Sequence, residues 1–290
     1  SRTMAVAKLE ELQRLVGEGE DADFDKIISI TKGFLASDEK DLEMLRCQVI
    51  ANILKEDYWA AVKLIDRYPN HKKSFSFHLL YCYYQLKQND KAMKIAQGTQ
   101  DKLKTKGFWH VQAQLYRRVG KSEEASEIYK NHFISKKARM AGESGSEIRA
   151  NYIACLSDFD PKKATEYGDK LDGKHTYAVA YNLAAPLAAC GRIGRAEEML
   201  GKAMELCKEE YKDDKEELEQ EMESNHLMKG YLAMLSGNTG DAQKILMKLV
   251  ESKQDPIRAG AILNLLHISN GSGGDSMDLA KTLGTISTNN

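Results

Sequence analysis

The chain is poor in the residues that build sheets and the turns between strands. Its 290 residues include only four prolines, and valine is sparse, whereas Leu, Ala, Glu, Lys and Met fill helical periods throughout. A long apolar run is also missing. The longest, Tyr177 to Cys190, is interrupted by Asn182 and Pro186 and is too short to span a bilayer. The amino terminus is charged and amphipathic, unlike a signal peptide. Charge of one sign is lacking too: the formal net charge is -1, so the whole chain is no electrostatic sink for nucleic acid. Cys47, Cys82, Cys155, Cys190 and Cys207 are odd in number and far apart, which argues against a disulfide framework or a zinc site and for a reducing compartment. The expectation is a soluble, cytosolic protein.

Catalytic signatures are equally scarce. His71, His78, His110, His132, His175, His226 and His267 form no HExxH pair and no metal-ligand spacing with cysteine. Gly271 to Gly274 lacks the Lys-Ser/Thr and the preceding strand of a phosphate loop. No enzyme and no cofactor are expected.

What is present is a recurring small residue. Ala61, Ala92, Ala125, Ala196 and Ala242 each open the second half of a two-helix unit, and the first three recur at nearly equal spacing. Gly120, Gly191 and Gly237 stand five residues before three of them, and Ala113, Ala184 and Gly230 stand twelve before. This is the tetratricopeptide register: two helices touch at the small pair, and the glycine supplies the left-handed backbone that turns the chain. The expected fold is all-α, a right-handed superhelical solenoid of tetratricopeptide helix pairs, with an all-helical globular bundle as the alternative.

About seven pairs plus a capping helix are expected over residues 1–268. Ile27 takes the small-residue slot of a degenerate first repeat. The second runs from about Asp41 to Pro69 and the third from Ser74 to Thr99. The fourth has the fullest signature, with Trp109, Ala113, Tyr116, Gly120, Ala125 and Tyr129 at the expected offsets. A loop follows from Ser135 to Ser146. The irregular fifth repeat, Glu147 to Leu171, has Asp160 as helix cap and Pro161 at the first helical position. The sixth spans Thr176 to Glu209, and the seventh runs from about Leu218 to Lys253. A last helix is expected from Asp255 to Ile268, and residues 269–290 read as a flexible linker and tail.

In such repeats the first helix, A, lines the concave face at fifteen, eleven and eight residues before the helix-B alanine. Those offsets select Arg46, Ile50 and Ile53, then Phe77, Tyr81 and Tyr84, then His110, Gln114 and Arg117. The sixth repeat supplies Tyr181, Ala185 and Ala188, and the seventh Leu227, Tyr231 and Met234. Aromatic rings and arginines on a surface of this kind suit a peptide groove, with packing between helices as the alternative for individual rings. Asn182 and Asn151 stand where an amide can pair with a ligand backbone, against the alternative of an ordinary surface asparagine. Pro186 removes a helical hydrogen bond to Asn182 and should kink its helix.

Two charged stretches complete the reading. Lys208 to Glu223 carries nine acidic residues against three lysines and reads as a solvated helix extension. Arg117, Arg118, Lys121, Lys130, Lys136, Lys137 and Arg139 form a basic patch for RNA phosphates or an acidic peptide, although no aromatics interleave it.

Several segments resemble one family more closely than any repeat consensus. They are Ser74-Phe75-Ser76-Phe77, Tyr81-Cys82 with Tyr84 and Leu86, Asp101-Lys102-Leu103-Lys104 and Leu115-Tyr116-Arg117. Leu45-Arg46-Cys47, Tyr181-Asn182 and Glu205-Leu206-Cys207 add to them. Between Phe24 and Ile268 the chain is similar to the amino-terminal region of the family of signal recognition particle subunit 72. That resemblance implies a tetratricopeptide solenoid binding a carboxy-terminal segment of subunit 68 of the signal recognition particle, in cotranslational targeting to the endoplasmic reticulum. The groove positions carried over are Phe77, Tyr81, Tyr84, Arg117, Tyr181 and Asn182. The family's lysine-rich, RNA-binding region is not in this chain, which reads as a piece of a longer protein; contact with the particle RNA is expected only indirectly or through that region. A co-chaperone-like adaptor would need groove lysines and asparagines where this chain has Leu12, Val16, Arg46 and Ile50. A free-standing RNA-binding protein is disfavoured by the near-zero charge.

Overall fold

A computed structural model of the chain describes residues 2–135, 145–171, 175–269 and 274–287. The described regular elements are helical throughout. The chain divides into two compact units, Ser1–Ile128 and Tyr129–Asn290.

The first unit holds four helix pairs: α1 (Arg2–Gly17) with α2 (Phe24–Ser37), α3 (Leu42–Leu54) with α4 (Tyr58–Arg67), α5 (Ser76–Gln85) with α6 (Asn89–Gly98), and α7 (Lys106–Arg118) with α8 (Ser122–Tyr129). Short polar side chains start α2, α3, α4 and α7. Asp23, Asp41, Asp57 and Thr105 each accept a hydrogen bond from a backbone N–H of the first turn, satisfying a donor that the helix cannot. The second helix of each of the first three pairs also packs on the following helix A, and α5 packs on both α3 and α7. The A helices α3, α5 and α7 therefore form one layer and the B helices another.

The register is set by sterics at the pair contact. Ala61, Ala92, Ala113 and Ala125 are fully buried, and a longer side chain at any of them would push its neighbours apart. The turn between A and B is a repeated device. At Gly120 the backbone is left-handed (φ 79°); its N–H donates to Arg117 O, and the next N–H, of Lys121, reaches back to Tyr116 O. Glu56 (φ 61°) and Lys87 (φ 56°) hold the same place in the two preceding repeats.

The second unit contains α9 (Ser146–Phe159), α10 (Pro161–Asp169), α11 (Tyr177–Ala189), α12 (Ile193–Glu210), α13 (Lys215–Leu235), α14 (Thr239–Leu249), α15 (Asp255–Ile268) and α16 (Gly274–Ser287). Asp160 caps α10 through Lys163 N, with Pro161 at its first turn. Ala164, Ala184, Ala196 and Ala242 are fully buried. Gly230 lies so close to α14 that an added Cβ would stand 2.7 Å from Leu246 Cδ2. The helix A row α9, α11, α13 and α15 is again contiguous.

The structure differs from the sequence reading in two places. The acidic stretch closes α12 at Glu210 and continues into α13, which starts at Lys215 and so extends the usual helix A, and two carboxylates on α13 bind side chains outside that helix rather than solvent alone. Glu221 accepts from Tyr177 Oη at 2.7 Å; Glu223 accepts from Ser252 Oγ at 2.6 Å and Gln254 Nε2 at 2.9 Å. Within the carboxy-terminal tail, residues 274–287 form α16, with Leu279 packed on the core of α14 and α15 and Ile286 buried. As the sequence reading had it, Pro186 lies inside a helix A, α11, which runs on to Ala189. Lys136, Lys137 and Arg139 of the basic patch, Gly142 in the loop before Ser146, and Gly271 to Gly273 of the linker lie outside the described residues.

Candidate peptide-binding surface

In the first unit the A helices bring together aromatic side chains from successive repeats. Phe77 lies over Gly107 of α7, where an added Cβ would stand 3.0 Å from Phe77 Cζ; the missing side chain is what lets the ring settle there. Phe77 and Tyr81 have ring centroids 6.4 Å apart, and Tyr81 meets Tyr58 of α4 edge-on at 6.1 Å. Burial, with Tyr81 beside it, raises the Tyr58 phenol above its ordinary range. Tyr84 is covered by Arg118, whose Cζ sits 3.5 Å from the ring centroid and whose Nη1 donates to Tyr84 O at 2.6 Å. Phe77, Tyr81 and Tyr84 are half-buried, and all three pack against the cluster of Leu80, Phe108, Val111 and Leu115.

Arg46 and Ile50 are neighbours one turn apart on α3. Arg46 is half-buried, with Cζ 5.9 Å from the centroid of Phe75, and Ile50 is exposed. His110 and Gln114 are half-buried on α7, and Arg117 is exposed on its last turn. Sequence offsets did not select Lys104 or His78. Lys104 places Nζ 4.3 Å from the Trp109 ring centroid and pairs with Asp101 at 3.0 Å. His78 sits beside both Phe75 and Phe77, with centroids 5.4 and 5.8 Å away. Burial, assisted by the Arg46 charge, depresses the His78 imidazole to about 4.

In the second unit Tyr181 and Asn182 sit near the middle of α11. Asn182 Nδ2 donates to Ala150 O of α9 at 3.0 Å, so part of its amide already joins two A helices. Asn151, beside that carbonyl, is half-buried, as is Tyr231 on α13. Tyr181 Oη lies 3.5 Å from Ser224 O, and burial raises its phenol. The offsets missed Tyr177, one turn before Tyr181. Its hydroxyl donates to Glu221 and accepts from Asn225 Nδ2 at 3.0 Å, and its ring meets Tyr211 edge-on at 6.3 Å. Burial first, then the bond to Glu221, hold this phenol well above its usual range. The signal that could have found it is its spacing four before Tyr181 together with Glu221 on the next helix A.

These groups offer apolar contact, amide hydrogen bonding and guanidinium charge. Among the described residues no group of three or more His, Cys, Asp or Glu could hold a metal ion, and no helix is long and apolar enough to cross a membrane.

Comparison with known proteins fits this geometry. No protein-family model matches the chain. The signal recognition particle subunit SRP72 of Homo sapiens is 22% identical over 254 residues, which cover 84% of this chain and 36% of that protein. SRP72 of Caenorhabditis elegans is 24% identical over 235 residues, covering 78% of this chain and 35% of that protein. The chain is related to SRP72. It spans little more than a third of the length of these SRP72 relatives, the protein from Canis lupus familiaris included. Its fold is that of a chain in the crystal structure of the APC/C hetero-tetramer Cut9–Hcn1, with a TM-score of 0.55 at 13% identity over 92% of this chain and 50% of that one. With the small-residue register buried, the architecture is an all-α tetratricopeptide solenoid.

Proposed function

We propose that the chain is a non-enzymatic, protein-binding scaffold of the signal recognition particle, and that its A-helix surface holds a segment of the particle's subunit 68. The observation that carries this reading is the run of Phe77, Tyr81, Tyr84 and Arg117 along α5 and α7, joined to the relation with SRP72. Aromatic side chains bury much area with little loss of rotamer entropy and are common anchors. Tyr181, Asn182, Asn151 and Tyr231 are the corresponding candidates in the second unit. In this role the protein supports assembly of the particle for cotranslational targeting, acting in the cytoplasm and reaching the endoplasmic reticulum through the particle. Its contact with the particle RNA is indirect or made by a downstream region.

Titration calorimetry with purified subunit 68 tests the reading. The double change Tyr81→Ala and Tyr84→Ala should weaken binding by about 2 to 4 kcal/mol. Because both rings also pack inside the layer, circular dichroism must show the variant folded. A folded variant with unchanged affinity excludes this surface, and no heat of binding with the native chain excludes the partner.

A further inference from the structure

Four large apolar side chains of the first unit are exposed on helix A elements: Leu9 (39%) and Val16 (52%) on α1, and Ile50 (38%) and Leu54 (48%) on α3. Trp59, on a helix B, differs because Lys91 Nζ covers its ring at 5.3 Å. Ile50 and Leu54 follow Arg46 at intervals of four, so the three share one stripe of α3.

Arg46 is an uncommitted cation. Among the described residues it forms no ion pair, not even with Glu43 one turn back on α3, and its Nε is enclosed with no acceptor. Its surroundings are the Phe75 ring and, beside that ring, His78; Arg46 is the only charge that perturbs this imidazole. The following A helices supply no carboxylate either: α5 carries no acidic or basic residue besides His78, and α7 carries Lys106, His110, Arg117 and Arg118. A guanidinium partly withdrawn from water, beside exposed apolar side chains, gains most from a carboxylate that arrives with its own apolar flank.

We infer that the Arg46–Ile50–Leu54 stripe of α3 docks an acidic amphipathic segment of the partner, one carboxylate engaging Arg46 and aliphatic or aromatic side chains covering Ile50 and Leu54. This rests on the reading of the A-helix surface as a protein-binding face, and it names the chemistry that the face selects. Arg46 is then a specificity residue: like charges are excluded there, and an apolar segment without a carboxylate leaves the guanidinium unpaired.

The test is a selection of short random peptides displayed on phage against the full chain, followed by affinity measurement on the native chain and on Arg46→Glu. The enriched peptides should carry Asp or Glu next to Leu, Ile or Phe, and should bind Arg46→Glu at least tenfold more weakly. Replacing their acidic residue by Lys should weaken binding to the native chain and restore it on Arg46→Glu. A second variant, Ile50→Ser with Leu54→Ser, should lose affinity while keeping the acidic preference. Enriched peptides without an acidic residue, no enrichment at all, or equal binding to Arg46→Glu would overturn the inference. The subunit 68 reading is judged separately by calorimetry, so either can fail alone.

Discussion

Glu56 and Lys87 hold the same left-handed backbone, φ 61° and 56°, at the same place in successive repeats. In both, the residue's own N–H donates to the carbonyl three before it, and the next N–H reaches back five residues, Asp57 to Asn52 and Gln88 to Tyr83, each at 2.9 Å. The later repeats place glycine there, at Gly120, Gly191 and Gly237. A side chain in this conformation crowds its own carbonyl and costs about 1 to 2 kcal/mol, of which glycine's extra unfolded-state freedom returns part. Glu56→Gly and Lys87→Gly should each stabilise the chain by about 0.5 to 1 kcal/mol, visible as a raised urea midpoint. A lowered midpoint would contradict the conformation described.

Ala125 is fully buried near the start of α8, and Gly230 faces Leu246, itself fully buried. Ala125→Leu and Gly230→Ala should each cost about 1 to 3 kcal/mol, because the facing atoms have no room to retreat. In a repeat array the loss reaches neighbouring pairs, so Ala125→Leu should also weaken partner binding without touching the ligand. The control is Lys121→Leu, at an exposed position just before α8. Thermal melts in which Ala125→Leu is as mild as this control would refute the register.

Tyr177 joins α11 to α13 through Glu221 and Asn225. Tyr177→Phe removes the donor from a carboxylate and the acceptor from a fully buried amide while preserving the ring. The expected loss is about 1 to 3 kcal/mol, since the partners rather than the tyrosine are left unsatisfied. Urea unfolding followed by far-ultraviolet circular dichroism measures it, and Glu221→Gln, which keeps an acceptor, should cost less.

His78 sets a pH dependence. Its folded pKa is depressed to about 4 from an ordinary 6.5, so the native state disfavours the proton that the unfolded chain accepts. Stability should be unaffected above pH 6.5, fall as pH drops from 6.5 towards 4, and then stop falling on this account. The partial exposure of the ring limits the loss to on the order of 2 kcal/mol. His226, also depressed by burial, acts in the same direction. Comparing native chain and His78→Gln by urea melts at pH 7 and pH 4.5 isolates the His78 share. Equal pH slopes in the two proteins would refute it.

The register was legible in the sequence because it depends on local steric facts. Two helices of one pair can approach closely only where both offer a small side chain, so Ala113 and Ala125, twelve residues apart, mark the buried positions of their repeat. Gly120, Gly191 and Gly237 announce their turns because glycine is the least strained residue there, and Asp160 with Pro161 announces a helix start. Each of these signals lies inside one repeat.

The tertiary structure decided everything that depends on a neighbour in another repeat. Within a repeat, too, Glu56 and Lys87 by residue type give no sign of a left-handed turn; the packing of α3 on α4 and of α5 on α6 imposes it. Glu221 and Glu223 read as solvated charges until the length of α13 carries them to Tyr177, Ser252 and Gln254. Asn182 meets Ala150 O, and Tyr84 lies beneath Arg118, only because consecutive A helices are held side by side. Among the described residues Arg46 stands without a counter-ion for the same reason: periodicity places it on a face, but only the packed helices decide whether a carboxylate can share that face.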